Sequence, residues 1–341
     1  MKHRYLQHLR LFLAPRGSRR EQLVRKAING FRSVEHKIKH RLERKKQYDL
    51  SVVIVFYNMK REAARTLYSL SRNYQLLGEE ISYEVVVLDN GSKEPLDEQW
   101  VRSFGQNFRY IYFNANMPSP CEALNYGVKV ANGKYVTLCI DGARILSPGI
   151  IYHSFLAAKA YKNPFVRTLG MHIGSKPQNY LVDEGYSQTE EDKLLASIDW
   201  KADGYLLFDV SSLALSAKKG YLAEIWESNC VTILKSTYMT LGGFDERFKS
   251  AGGGLANLDF FNRVNQMEDV SPVMLLGEAT FHQFHGGTAT NVSFDNHPWK
   301  KMEQEYMEIH KKPFTTYQKE PVFFGKIHPK SQHLLLVEED K

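Results

Sequence analysis

The stretch Gly133-Lys-Tyr-Val-Thr-Leu-Cys-Ile-Asp141-Gly-Ala-Arg144 constrains the fold of this chain more than any other. Tyr135 to Ile140 is a short run of strand formers bounded by Gly133 and Gly142. Such a run reads as a strand buried on both faces, as in a parallel sheet. It ends on a carboxylate, Asp141. Ligands of open α/β sheets bind just outside the carboxyl ends of the strands, so an acidic residue there is placed for chemistry. Asp and Gly are also ordinary turn residues, and the surrounding chain has to decide between the two readings.

The neighbouring segments favour chemistry. Ser51 to Tyr57 (SVVIVFY) predicts a buried strand closed by Asn58, and Arg61 to Tyr74 follows at helical spacing. Glu84 to Leu88 predicts a second strand, running into the turn Asp89-Asn90-Gly91-Ser92, and Arg109 to Phe113 a third. Cys121 to Ala131 predicts a helix stopped by Asn132-Gly133. This alternation predicts an α/β fold, a doubly wound, Rossmann-like and mostly parallel sheet. Asn58 and Asp89, at the ends of the first two strands, would then project into one crevice. An aspartate there can accept from a base N–H or a ribose hydroxyl, while Gly91 and Ser92 let a ligand approach. Neither GxGxxG nor a Walker A pattern occurs, so a dinucleotide or a P-loop triphosphate is not supported.

The net charge of +7 over 341 residues is unevenly spread. Residues 1–49 carry 15 Lys/Arg against 4 Asp/Glu, a net of +11, and the remainder 30 against 34, a net of −4. Residues 1–48 therefore read as a basic helical arm, with Leu6, Leu9, Phe12 and Leu13, then Leu23, Ala27, Ile28 and Phe31, at helical spacing. Such an arm, over residues 1–46, can lie on an anionic membrane surface, or pack on its own body or a partner subunit. Nucleic acid is not an expected partner, since aromatic residues there are few and no recognition motif occurs. Cys121, Cys139 and Cys230 are odd in number and outside any CxxC pattern, which reads as reduced thiols. No run approaches transmembrane length and no signal-peptide core is present, so the expected location is cytoplasmic, peripheral at the inner membrane surface if the arm binds lipid.

In order, SVVIVFYN, EVVVLDNGS and ALNYGVKVANGKYVTLCIDGA resemble the nucleotide-binding half of family 2 glycosyltransferases of the GT-A fold. The resemblance covers roughly residues 50–150 and extends loosely to Gly242-Gly-Phe-Asp-Glu246. It implies a nucleotide-sugar-binding half over 49–150, an acceptor-binding half over 151–290 and a C-terminal helical extension over 291–341. It implies donor contacts from Tyr57, Asn58, Asp89, Gly91, Asn125, Asp141 and Arg144. It further implies a DxD-type motif holding a divalent metal on the diphosphate. Two departures stand out. The DxD position reads Asp141-Gly142-Ala143, and the acceptor-side acidic motif, aligned on Arg263, reads Ala256-Asn257-Leu258-Asp259. The usual base carboxylate thus falls on Asn257.

Sugar transfer makes two demands. Charge developing on the leaving diphosphate must be stabilised, and the acceptor hydroxyl must lose its proton to a positioned base. For the first, Asp141 with His282 and His285 of Phe281-His-Gln-Phe-His-Gly-Gly287 forms a candidate set for Mn²⁺, or less well Mg²⁺. Hydrogen bonds to loop backbone are the other use for these histidines. Arg144 is a metal-free alternative for the diphosphate, or one half of a surface ion pair. For the second, Asp259 is the nearest remaining carboxylate, followed by Asp245 and Glu227. Gly252-Gly-Gly254 reads as a lid, or as a plain loop, and Asp183 to Asp199 as a solvated loop and helix. Asn291-Val-Ser293 is a chance glycosylation match in a cytosolic protein. The function expected is transfer from a nucleotide-diphosphate sugar to a saccharide or lipid-linked acceptor, inverting, in surface polysaccharide synthesis. A catalytically inactive nucleotide-binding or scaffold protein on the same fold is the alternative, favoured by Ala143 and Asn257.

Overall fold

The computed structural model describes residues 47–78, 81–114, 118–223 and 225–337, so the basic arm falls outside the described residues up to residue 46. Strands β1 (Tyr48–Phe56), β2 (Tyr83–Asp89) and β3 (Phe108–Tyr112) pair in parallel, and β4 (Gly133–Cys139) lies parallel on the other side of β1. Their apolar runs are buried on both faces because helices cover both. Val53, Val55, Val86, Leu88, Val136 and Leu138 pack with α3 (Cys121–Val130) and α8 (Ala256–Asn265) on one side. Leu50, Val52, Ile54, Val85 and Val87 pack with α1 (Lys60–Ser69) and α4 (Ile150–Ala160) on the other. Gly127 lets α3 approach closely: a Cβ there would lie 2.5 Å from Val53 Cγ1 and 2.6 Å from Leu88 Cδ1.

Beyond β4 the sheet changes direction. β8 (Cys230–Leu234) is antiparallel to both β4 and β6 (Pro164–Ile173), and β9 (Ser271–His282) is parallel to β6. The order is β10-β9-β6-β8-β4-β1-β2-β3, with β10 (Val322–Gly325) at one edge and the short β5 (Arg144–Leu146) and β7 (Ser211–Leu213) paired to β9 and β6. Strands β1, β2, β3, β4, β6 and β9 therefore all end at one rim. Tyr57, Asp89, Asp141 and His282 reach that rim from different parts of the sequence.

Helix α1 is shorter than its periodicity predicts. Past Ser69 the Ser69 Oγ bonds Thr66 O at 2.8 Å and the Ser71 Oγ bonds Tyr68 O at 2.7 Å, offering the backbone an alternative to the helical ladder. Cys139 and Cys230, 91 residues apart, are register partners with Sγ atoms 3.8 Å apart, and all three cysteines are free and buried. Among the described residues no helix is long and apolar enough to cross a membrane.

Candidate active site

Chain direction brings three ligating side chains to the rim after β4. Asp141 Oδ1 accepts the Ala143 N–H at 2.9 Å. Its Oδ2 lies 2.9 Å from His282 Nε2 and 3.4 Å from His285 Nε2. Burial alone would raise the Asp141 carboxyl, but the charge of His285 outweighs it and holds the group well below the usual range. His285 mirrors this: burial works to lower it, and Asp141 raises it above the ordinary imidazole value. Burial dominates at His282, which is pushed down to about 4 and is neutral at physiological pH.

The surrounding amides decide which nitrogen of neutral His282 carries hydrogen. Gln178 Nε2 faces two carbonyls, Ile173 O at 3.2 Å and His282 O at 3.1 Å, so its Oε1 must be the atom facing Asn291 Nδ2 at 2.7 Å and His282 Nδ1 at 2.9 Å. Asn291 is fixed in turn, because its Oδ1 accepts the His285 and Gly287 N–H groups at 3.0 and 2.9 Å. His282 Nδ1 is therefore the donor, and its Nε2 lone pair points at an ionised carboxylate. Two acceptors that close require a cation or a proton between them. His285 Nε2, also buried, has the 3.4 Å ion pair to the same Asp141 oxygen and no hydrogen bond. The ligand atoms of Asp141, His282 and His285 all lie within 4.8 Å of one another. A spacing near 3 Å is what adjacent ligands on an ion with bonds of about 2.1 Å would show. This N₂O set fits a divalent metal, with a second sphere that fixes the ligand tautomer.

The nucleotide crevice is built differently from the sequence expectation. Tyr57 is 45% exposed at the rim, and Asn58, with φ 54°, accepts the Lys93 N–H on its Oδ1 at 2.9 Å. Asp89 is fully buried and turns its carboxylate inward, accepting the Ser92 N–H at 2.8 Å and the Leu96 N–H at 2.9 Å. It shapes the loop through Gly91 (φ 81°) and does not reach out to a base or ribose. Arg144 is also buried, beneath the rim. Its guanidinium reaches Thr280 Oγ1 at 3.4 Å and leaves Nε without a partner, which makes it a fixed positive field below the site and not a surface ion pair.

Residues 51–141 match the family described as Glycosyl transferase family 2, from β1 through to Asp141. This segment is similar to family 2 glycosyltransferase domains. Among solved structures the chain is similar to S. aureus TarS, at 15% identity and a TM-score of 0.46, over 69% of this chain and 36% of that one. It is also similar to S. aureus TarS 1–349 in complex with UDP-GlcNAc, at 13% identity and a TM-score of 0.47, over 80% of this chain and 68% of that one. The chain thus spans 36% of the first of these structures. No curated protein matches it.

Around this segment the remaining candidates separate. Asp259, on α8, is taken up by Arg263 at 2.7 Å and His310 at 3.1 Å, and Arg263 also holds Leu241 O and Gly243 O. The pair anchors the Gly242–Glu246 turn to α8. Asp245, Asp259 and His310 also bring ligand atoms within 4.8 Å, but Arg247 and Arg263 already neutralise both carboxylates. Asn125 holds the same turn from α3, accepting the Phe244 N–H at 2.9 Å and donating to Phe244 O at 2.8 Å, and is not in the metal cluster. Asn257 lies near the β4 rim: it bonds Asn229 Oδ1 at 2.7 Å, and Asn229 O accepts the Ile140 N–H at 3.2 Å. Ala143 is fully buried, so no second carboxylate has a place there. Gly252, Gly253 and Gly254 all have positive φ in a short turn before α8.

Three further residues, none of them expected at the site from the sequence, support the turn that carries His282 and His285. Gln178 carries no local signal. Asn291 sat in a glycosylation match, yet it is buried and engaged as described. Glu191, in α6 (Gln188–Ala196), is fully buried, bonds Arg61 at 3.1 Å and Arg65 at 3.2 Å, and accepts the Phe284 N–H at 2.5 Å between the two histidine ligands.

Proposed function

We propose that the chain transfers a sugar from a nucleoside-diphosphate donor to a hydroxyl of a saccharide or lipid-linked acceptor, inverting the anomeric centre, in assembly of a surface polysaccharide. The observation that carries this reading is the convergence of Asp141, His282 and His285 at the sheet rim where the family 2 segment ends. A divalent metal held there, Mn²⁺ better than Mg²⁺ for the nitrogen ligands, would supply positive charge to the leaving diphosphate. Arg144 adds a fixed field from beneath. Tyr57, Asn58 and Gly91 shape the rim on which the nucleoside would rest. The basic arm would hold the protein at the cytoplasmic face of an anionic membrane, and loss of vesicle flotation on deleting residues 1–46 is the result that part requires.

A non-catalytic nucleotide-binding reading draws on Ala143 and Asn257, which stand where the family motif has carboxylates. Nucleoside diphosphate release from UDP-, GDP- and dTDP-sugars with Mn²⁺ separates the two. Turnover of one donor class supports the transferase, and tight donor binding with no turnover under any acceptor tried supports the scaffold.

A further inference from the structure

Of the three carboxylates considered for the base, two are already neutralised, Asp259 by Arg263 and Asp245 by Arg247. Glu227 is the exception: half-buried, it has no hydrogen bond or ion pair among the described residues. Its carboxylate lies over Gly170 in β6, where a Cβ would come within 2.5 Å of Oε1. Any other residue at position 170 would push the carboxylate off the sheet.

Register places this carboxylate relative to the metal ligands. Gly170 pairs with Thr280, and His172 with His282, with no irregularity between them. Residues two apart on a strand share a face, as do register partners on adjacent strands. Glu227 and His282 therefore stand on the same face of the sheet, one two-residue step of about 7 Å apart along the strands. That step, with one strand spacing of about 4.8 Å across from β6 to β9, would leave room for a reacting carbon between a base and a diphosphate held at the Asp141 cluster.

Asn257 explains how the loop is held. Its Oδ1 accepts from Ser228 N at 2.5 Å and Ser228 Oγ at 2.7 Å, and its Nδ2 donates to Asn229 Oδ1 at 2.7 Å. Both ends of the amide are spent on the two residues that follow Glu227. We infer that Glu227 is the general base of the transfer and that Asn257, standing at the family's usual base position, is the positioning residue that holds it. This rests on the transferase reading. The acceptor O–H proton passes to the Glu227 carboxylate as the acceptor oxygen bonds the anomeric carbon. The bond from that carbon to the diphosphate oxygen breaks, and its electron pair leaves with the nucleoside diphosphate.

The test uses the full chain with Mn²⁺ and UDP-, GDP- and dTDP-sugars, with water and simple glycosides as acceptors, following diphosphate release across pH. Glu227→Gln is expected to lower kcat by about a hundredfold or more, leave the donor KM unchanged and, with Mn²⁺ saturating at every pH, remove the acid limb of the kcat profile. Asn257→Ala with Glu227 intact should lower kcat by about tenfold and leave the acid limb in place, because it removes only the amide that holds Ser228 and Asn229. A Glu227→Gln variant within about twofold of wild type, acid limb intact, overturns the assignment while leaving the transferase reading standing. Wild type that releases diphosphate from no donor overturns both.

Discussion

Gln178 sets the hydrogen on His282 because its amide is oriented by two backbone carbonyls, Ile173 O and His282 O. Removing it would free the imidazole to turn over and leave the Asn291 amide without its acceptor. Outer-sphere partners of this kind typically carry 10–100-fold of metal affinity, and Gln178→Ala should lose about that much in Mn²⁺ titration. A second consequence follows from His285. Asp141 raises its pKa, so below that value a proton competes with the metal for Nε2. Binding the ion expels that proton, so Mn²⁺ affinity should rise with pH, by about tenfold per unit below the His285 pKa, and level off above it. His282, already neutral with its value near 4, adds no further slope in this range. A flat affinity profile from pH 5.5 to 8 would contradict the histidine ligation.

Helix α6 acts as a strap. Glu191 and Asp192 meet Arg61 and Arg65 of α1, and Glu191 alone reaches on to the Phe284 N–H between His282 and His285. Glu191→Ala would leave that half-buried N–H without its acceptor and two arginines short of a partner. The expected cost is about 2–4 kcal/mol in denaturant unfolding, together with weaker metal binding. Sequence could not have shown this, because an acidic helix reads as solvated and the arginines that bury Glu191 lie more than 120 residues away. The parallel strands were legible because each is an uninterrupted apolar run, and Asp141 because it ends one. His282 and His285 were legible as residues, but which nitrogen faces the site depends on Gln178, about a hundred residues upstream. Asp89 misled for the opposite reason: its position at a strand end was read correctly, while the direction of its carboxylate is set by the N–H groups of its own loop.

At the scale of the molecule, the site lies where the parallel half of the sheet meets β8 and the strands beyond it. The first half delivers Asp141 at the end of β4. The second delivers His282 and His285 from β9 and the loop after it, and Glu227 from the segment before β8. Ala143 and Asn257 each stand where the resembled family has a carboxylate, and in each case side chains from the second half converge on the same region. On the proposed reading a nucleotide-sugar binds through a metal on Asp141. Titration calorimetry of full-length wild type and Asp141→Ala with UDP-, GDP- and dTDP-sugars, each with and without Mn²⁺, tests this most directly. One donor class should bind wild type only when Mn²⁺ is present, and Asp141→Ala should abolish that binding. Donor binding that is equally tight without metal, or unchanged in Asp141→Ala, would contradict the account.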